Sequence, residues 1–319
     1  MKEQIKKKIN TKQIVISNNY VGQRIDNFLI RYFGGIPNSR IYQMLRKGEV
    51  RVNSGRIKQT YRLALDDVVR IPPVYIDDKF KPKPAKSLQK KLQNSILYED
   101  ELSIVINKPA GIVVHSGSGQ LNGVIEALRA TGIYPKIELV HRLDKDTSGC
   151  LILAKDIPAL RLLQKTLNDI SSKKRYLALL SGKLNQNQLI VDSPLQKNTI
   201  SSGERIVKVD VNGKTAKTVF FRKDLFDNAT LAEVEIYTGR THQIRVHGAS
   251  VGHFVLGDRK YGDKLLNRQF KERGLNRMFL HAQSVSFISP LSKEKITVNS
   301  PLDDELKDFL KQMKKNEYF

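Results

Sequence analysis

Cysteine is almost absent from this sequence of 319 residues, in which Cys150 is the only one. A single cysteine cannot form an intramolecular disulfide or build a cysteine-based zinc site. Long apolar runs are missing too, so no segment is predicted to span a bilayer. Residues 1–10 are charged and lack the apolar segment of a secretory signal. These absences favour a soluble, cytoplasmic protein that does not enter a membrane.

Acidic residues are also few, since 32 Asp and Glu stand against 55 Lys and Arg, for a formal net charge of +23. Residues 1–95 hold 21 Lys and Arg and 7 Asp and Glu, an excess of 14, which leaves only +9 for the rest of the chain. A basic segment of this kind is typical of a module that binds a polyanion. The alternative explanation for the positive charge is a generally lysine-rich proteome. That would raise the charge along the whole chain and would not concentrate it in residues 1–95.

Four segments differ in composition and pattern. Residues 1–12 are polar and basic, which predicts a flexible N-terminus. Residues 13–72 have the pattern of a small compact domain, and residues 73–95, rich in proline and lysine, predict a semi-extended linker. Residues 96–319 mix strand and helix patterns and predict a larger domain.

Two amphipathic helices precede two strands within residues 13–72. The first helix is predicted to begin at Arg24. The second is predicted to begin near Ser39 and to end at Gly48. Residues 49–53 and 66–71 alternate as half-buried strands do. This order resembles the S4 RNA-binding domain, and the resemblance implies phosphate contacts by Arg24, Ser39, Arg40, Arg46, Lys47 and Arg51. A solvated basic helix face is the alternative.

Periodicity in the larger domain predicts strands at 102–107, 151–154, 176–180 and 232–237. Asp156 is the expected N-cap of a helix that carries one apolar face, formed by Leu160, Leu163, Leu167 and Ile170. Residues 241–251 are ambiguous between strand and helix. We favour a helix that Thr241 caps and Gly252 ends.

The most informative stretch is His141–Gly149, which reads His-Arg-Leu-Asp-Lys-Asp-Thr-Ser-Gly. An isolated aspartate such as Asp144 in a turn usually caps local N–H groups. A second block, Thr238–His247, reads Thr-Gly-Arg-Thr-His-Gln-Ile-Arg-Val-His. In this order, the two blocks together resemble the signatures of the RluA-type pseudouridine synthases.

This resemblance implies an α+β fold, with a mixed, largely antiparallel central sheet flanked by helices. It also implies the isomerisation of uridine in RNA, in which a C–N glycosidic bond breaks and the base rejoins the sugar through carbon. No net redox change occurs, so no cofactor is expected. The reaction needs an ionised carboxylate, a base for the proton on the new carbon linkage, and extrusion of the uridine from its stack.

Three residues match the catalytic positions of that family. Asp144 supplies the carboxylate, Arg245 pairs with it, and Tyr176 is the active-site tyrosine. A phosphate contact or a structural salt bridge is the alternative for Arg245, and an ordinary core aromatic is the alternative for Tyr176. The sequence leaves open whether Asp144 adds to the uracil ring, adds to the ribose or takes a ribose proton.

Arg142 matches the arginine that the resemblance assigns to base flipping, with a phosphate clamp as the alternative. The resemblance places four further side chains against the RNA: His141, Arg240, Thr241 and His242. A metal site at the two histidines is disfavoured, because lone histidines within basic motifs are poor indicators of one.

Three shorter blocks also match the family, at 107–111 with His115 beyond, at 252–258 with Tyr261 beyond, and at 280–282. In the second block Phe254 stands where the family usually has proline. We therefore expect the local loop shape to differ there.

Residues 24–29, 46–53 and 56–58 resemble the family members that modify several uridines of 23S ribosomal RNA. The expected partner is therefore 23S RNA, and we expect a monomer. A sister synthase acting on other ribosomal or transfer RNA sites is one alternative, and a non-catalytic RNA-binding ribosome-assembly factor is another. A methyltransferase is disfavoured, because no glycine-rich strand-to-helix loop with a following acidic residue suits its cofactor.

Overall fold

The computed structural model describes residues 6–34, 36–77, 84–116, 122–199 and 205–315. The chain forms two compact units, residues 1–82 and residues 83–319. The smaller unit contains β1 (Lys6–Ile9), β2 (Lys12–Val15), a 3-10 turn (Asn18–Tyr20), α1 (Ile25–Phe33), α2 (Asn38–Lys47), β3 (Arg51–Val52), β4 (Val68–Ile71) and β5 (Val74–Asp77).

The two helices of the smaller unit end where glycine permits a left-handed backbone. Gly34 and Gly48 have φ of 61° and 68°, and each donates its N–H to a carbonyl of the last helical turn. The apolar helix faces form a core with the three-stranded antiparallel sheet β2-β4-β3. Both helices were predicted from the sequence, and their starts lie within one residue of the expected positions.

The structure differs from the expected flexible N-terminus and linker. Residues 6–9 form β1, which pairs with β5, and residues 86–93 form a helix. Residues 1–5 and 78–83 of these two segments lie outside the described residues. The β1–β5 pairing joins segments that are far apart in sequence, so local composition gives no sign of it.

The larger unit begins with α3 and ends with α8. Its elements are α3 (Lys86–Gln93), β6 (Ile96–Glu99), β7 (Ser103–Lys108), α4 (Val124–Ala130), β8 (Glu138–Leu139), β9 (Ser148–Ala154), α5 (Ile157–Leu167), β10 (Lys173–Ser181), β11 (Gln188–Asp192), β12 (Leu195–Thr199), β13 (Arg205–Val209), β14 (Lys217–Phe226), β15 (Ala229–Ile236), α6 (Gln243–Ser250), α7 (Lys264–Glu272), β16 (Leu280–Ile288), β17 (Lys295–Asn299) and α8 (Asp304–Lys315).

A ten-stranded sheet in the order β11-β14-β15-β10-β16-β9-β7-β6 organises this unit, with β17 beside β16 and β8 beside β9. Only the β9–β16 pair is parallel among the described strands. β12 and β13 form a separate two-stranded sheet. The sheet is therefore mixed and largely antiparallel, as the sequence predicted.

Two helix predictions need correction. Asp156 caps α5 by accepting from the Ala159 N–H at 2.8 Å, but the helix ends at Leu167, and Ile170 is 96% exposed. The hydroxyl of Ser172 donates to the Leu167 carbonyl, and the Asp169 carboxylate accepts from Ser171, so a local turn replaces the next helical turn.

The second correction concerns the start of α6. This helix begins at Gln243 rather than at a Thr241 cap, and His242 precedes it in the left-handed region with φ of 54°. Few non-glycine residues occupy that region. The predicted helix exists, but its entry is an unusual turn that directs His242 away from the ordinary capping geometry.

Phe254 makes two hydrogen bonds to Ser181 through its backbone. Its N–H donates to the Ser181 hydroxyl at 2.7 Å, and its carbonyl accepts from the Ser181 N–H at 2.8 Å. Proline has no N–H and could make only the second of these bonds. The N–H and the carbonyl of Phe254 therefore both bond to Ser181, and these two bonds fix the loop to the end of β10.

Candidate active site

The loop between β8 and β9 carries Asp144, and α6 carries Arg245 to meet it. Nη1 of Arg245 donates to Oδ2 of Asp144 at 2.9 Å. Tyr176 of β10 lines the same cavity as both residues. The three residues predicted to be catalytic, separated widely in sequence, are thus brought to one cavity.

Asp258 holds the other side of the Arg245 guanidinium. Nε and Nη2 of Arg245 donate to the two carboxylate oxygens of Asp258 at 2.7 and 2.8 Å. Asp258 is 1% exposed, and burial would raise its pKa, but the hydrogen bonds and charge of Arg245 outweigh burial and lower the pKa. This bidentate pair fixes the plane in which Arg245 reaches Asp144.

Burial acts on Arg245 as well, and it would lower the pKa of the guanidinium. Asp258 and Asp144 outweigh it, so the pKa of Arg245 is raised. A permanent cation therefore sits 2.9 Å from the Asp144 carboxylate and sets its direction. Sequence reasoning did not assign a role to Asp258; its only signal was its place at the end of the 252–258 block.

His242 faces the other oxygen of Asp144. Its Nε2 lies 3.7 Å from Oδ1, and its Nδ1 lies 2.8 Å from the hydroxyl of Tyr261. Burial lowers the pKa of His242, although the charge of Asp144 opposes the shift. The RNA contact of His242 stays a prediction; in this structure its ring nitrogens face Tyr261 and Asp144.

Tyr176 lines the cavity with a side chain that is only 8% exposed. Burial raises the pKa of its phenol, and the negative charge of Asp144 raises it further. The phenol is therefore neutral at physiological pH. A neutral ring beside the carboxylate suits stacking against an uncharged base such as uracil.

Lys108 supports the Asp144 loop through a hydrogen bond to the carbonyl of Lys145. It is fully buried, and its Nζ donates to the carbonyls of Pro109, Ile112 and Lys145 at 2.8, 2.9 and 3.1 Å. Burial lowers its pKa to about 7, against the opposing charges of Asp146 and Asp144. The carbonyl of Lys145, next to Asp144, is thus anchored to a buried amine that the sequence did not single out.

The cavity around Asp144 has a volume of about 750 Å³. Its lining has seven cationic side chains against the three carboxylates of Asp144, Asp146 and Asp258, and the cations are Arg142, Lys145, Lys174, Arg240, Arg245, Arg259 and Lys260. Such a lining attracts a polyanion and neutralises its phosphates. The site therefore combines a directed carboxylate with a surface suited to a nucleic acid backbone.

The RNA contacts predicted near the cavity differ in their availability. Arg142 is exposed at the cavity and donates no hydrogen bond to any described residue, whereas Nε of Arg240 donates to the Thr215 carbonyl at 3.0 Å. Thr241 lines the cavity. His141 Nε2 accepts from the Ile152 N–H at 3.1 Å, and burial lowers its pKa to about 4. His141 thus braces the loop as an uncharged ring.

The predicted phosphate contacts of the smaller unit also differ from one another. Arg24 pairs with Asp26 at 2.6 Å, and Arg40 pairs with Glu49 at 2.8 Å, so both cations are partly neutralised. The other candidates, Ser39, Arg46, Lys47 and Arg51, are exposed. A cavity of about 650 Å³ in this unit is lined by Arg51 and by Arg70, and Arg70 is not among the phosphate contacts predicted from the sequence.

Within the described ranges, no group of three or more His, Cys, Asp or Glu side chains is placed to hold a metal ion. Among the same residues, no helix has the length and apolar character required to cross a bilayer.

The sequence is similar to those of proteins named as pseudouridine synthases. Residues 102–250 match the RNA pseudouridylate synthase family. The ribosomal large subunit pseudouridine synthase C of Pasteurella multocida is 48% identical over 302 residues, covering 94% of this chain and 93% of that protein. The protein of the same name from Haemophilus influenzae is 47% identical over 321 residues, covering 99% of this chain and 100% of that one.

Solved structures agree with this similarity. Human RNA pseudouridylate synthase domain containing 1 is 27% identical with a TM-score of 0.54, covering 65% of this chain and 83% of that one. Human RNA pseudouridylate synthase domain containing 4 shares the fold, with a TM-score of 0.59 at 24% identity, covering 72% of this chain and 96% of that one. The chain belongs to the RNA pseudouridylate synthase family, and the α+β fold expected from the sequence is confirmed.

Proposed function

We propose that this protein isomerises specific uridines of 23S ribosomal RNA, in the large subunit, to pseudouridine. The observation that carries the proposal is the 2.9 Å pair between Asp144 and Arg245, set beside Tyr176 in a cationic cavity. The relatives at 48% and 47% identity are named for the large ribosomal subunit, which supports this substrate.

The reaction breaks the bond from C1′ of the ribose to N1 of uracil and forms a bond from C1′ to C5. The proton on C5 leaves and N1 gains one, so atoms and charge balance without a redox partner or cofactor. Asp144 is the reacting carboxylate, adding to the uracil ring or to the ribose, or taking a ribose proton. Arg245 holds it in place, and Tyr176 stacks on the base.

Base flipping and RNA binding fall to the remaining residues of the proposal. Arg142, exposed at the cavity, occupies the space that the extruded uridine leaves in its stack. Arg240 and Thr241 line the cavity on its RNA side. Residues 13–72 act as an S4 RNA-binding domain whose exposed cations contact phosphates. We further propose that the protein acts as a cytoplasmic monomer.

The test is a map of pseudouridines in 23S RNA from cells that lack this protein. The same cells are then complemented with wild type or with Asp144→Ala. We expect sites that vanish in the deletion and return only with wild type. Sites restored by Asp144→Ala would contradict the role of the carboxylate. An unchanged 23S map with altered transfer RNA would identify a sister substrate, and no change in either RNA would favour a non-catalytic assembly factor.

A further inference from the structure

Tyr261 contacts both of the side chains that face the Asp144 carboxylate. Its hydroxyl lies 2.8 Å from Nδ1 of His242, and the two rings meet edge to face with centroids 5.4 Å apart. The guanidinium carbon of Arg245 lies 5.0 Å from the centroid of the Tyr261 ring, which is cation–π distance. One aromatic residue therefore supports the partners of both carboxylate oxygens.

The hydrogen bonds of Tyr261 favour one tautomer of His242. The Val207 N–H donates to the Tyr261 oxygen at 3.1 Å, so Nδ1 of His242, at 2.8 Å, is the acceptor that faces the hydroxyl hydrogen. The neutral ring then carries its hydrogen on Nε2, which faces Oδ1 of Asp144 at 3.7 Å. The opposite tautomer would point a nitrogen lone pair at a carboxylate.

The two oxygens of Asp144 are thereby made different. Oδ2 accepts a short bond from Arg245 at 2.9 Å, whereas Oδ1 faces the His242 N–H at 3.7 Å, beyond hydrogen-bond length. The carboxylate is oriented from both sides while one oxygen stays available to react. The left-handed backbone of His242, with φ of 54°, costs about 1 kcal/mol or more, so the fold sustains a strained residue to aim this ring.

Val207 connects this arrangement to a second cavity. It belongs to β13, and it lines a cavity of about 430 Å³ together with Lys197, Lys214, Arg240 and Thr241. The Tyr261 hydroxyl thus contacts both β13, which borders this basic cavity, and the His242 ring, which faces Asp144.

We propose that Tyr261 is a positioning residue, which fixes the His242 tautomer and braces Arg245 so that both oxygens of Asp144 face N–H donors. This inference rests on the proposed function, in which Asp144 is the catalytic carboxylate. It assigns Tyr261 and His242 to the geometry of the carboxylate rather than to RNA affinity.

The test uses Tyr261→Phe in the full-length protein, because phenylalanine keeps the ring and removes only the hydroxyl. We expect the single-turnover rate at saturating 23S RNA fragment to fall about tenfold, as the loss of one oriented hydrogen bond implies. RNA affinity should be unchanged. In ¹⁵N-histidine-labelled protein, the His242 signal, assigned by its loss in His242→Asn, should shift from the Nε2–H form toward a mixture of tautomers.

Tyr237→Phe is the matched control, since Tyr237 is 57% exposed in the same domain and also loses a hydroxyl. It should retain wild-type rate and tautomer. The double variant of Tyr261→Phe with His242→Asn should be no slower than the slower single variant. Each substitution alone already removes the hydrogen bond between Tyr261 and His242, so the second has nothing further to remove.

A wild-type rate in Tyr261→Phe would overturn the inference, as would a slower rate with an unaltered His242 tautomer. A loss confined to RNA affinity would also overturn it and assign Tyr261 to binding. These results are distinct from failure of the proposed function, which would appear as product formation by Asp144→Ala.

Discussion

Gly149 and Ala282 are register partners in the parallel pair of β9 and β16. Gly149 has φ of 109°, and a Cβ at this position would lie 2.3 Å from the carbonyl oxygen of Ala282. The backbone directly after the Asp144 loop is therefore pressed against a strand from the C-terminal part of the chain. Only glycine allows both the dihedral angle and the approach.

Gly149→Ala should lower the free energy of unfolding by about 3 kcal/mol or more, because it combines backbone strain with a clash against main chain. Urea denaturation measures the change. Gly239→Ala is the control, since a Cβ there meets no atom within 4 Å. Equal stability of the two variants would show that the sheet yields at Gly149.

Asp258→Asn should slow the reaction about 100-fold, because Arg245 loses the anchor that aims it at Asp144. It should also lower the free energy of unfolding at pH 7 by about 3 kcal/mol, as expected for one broken buried pair. Rate and urea stability are measured beside Asp227→Asn, an exposed control in the same domain. A wild-type rate in Asp258→Asn would remove Asp258 from the positioning of Arg245.

The pH dependence of that stability difference follows from the lowered pKa of Asp258. A carboxyl whose folded-state pKa is depressed contributes fully above its unfolded pKa of about 3.9 and loses that contribution as pH falls through the folded value. The gap between wild type and Asp258→Asn should thus be constant from pH 7 to about pH 4 and shrink below it. A gap that widens in acid would contradict the assigned ion pair.

Arg142→Ala should slow the reaction most on structured RNA, because in the proposed function this arginine replaces the extruded uridine in its stack, a step worth a few kcal/mol. On a short unstructured oligonucleotide the loss should be much smaller. Single-turnover rates on the two substrates measure the difference. Arg161→Ala, an exposed arginine of α5, is the control. Equal losses on both substrates would make Arg142 a phosphate clamp.

Arg51→Ala and Arg70→Ala should each reduce the slope of log affinity against log salt by about one, since each removes one phosphate contact. Arg24→Ala and Arg40→Ala should change the slope less, because those cations are already paired with Asp26 and Glu49. Filter binding across salt concentrations measures all four. Similar slopes for the two pairs would show that the ion pairs open on RNA.

The sequence predicted those parts of the site that lie within short motifs. Asp144 and Arg245 stand in blocks whose residue order indicates the chemistry, and their 2.9 Å contact agrees with it. Asp258 and Tyr261 also stand in or beside a matching block, but no role was assigned to them, because their roles come from tertiary contacts with Arg245 and His242. A buried carboxylate and a bridging phenol have no local spacing that distinguishes them from loop residues.

The same limit explains the errors in the fold. Ile170 continues the apolar period of α5, but hydrogen bonds of Ser172 and Asp169 end the helix first. Lys6–Ile9 has a flexible composition, yet it pairs with Val74–Asp77. The end of α5 thus depends on side-chain hydrogen bonds, and the formation of β1 depends on pairing with a distant strand. The periodicity of the sequence reveals neither.

The parts of the chain that hold the Asp144 loop are synthesised much later than the loop itself. Arg245, Asp258 and β16 all follow Asp144 by a hundred residues or more. A growing chain that has emerged only through β9 has the Asp144 carboxylate but lacks the Arg245 guanidinium that binds it. The protein therefore becomes competent only after β16 has left the exit tunnel. A nascent chain cannot modify the ribosome that is synthesising it before the site is complete.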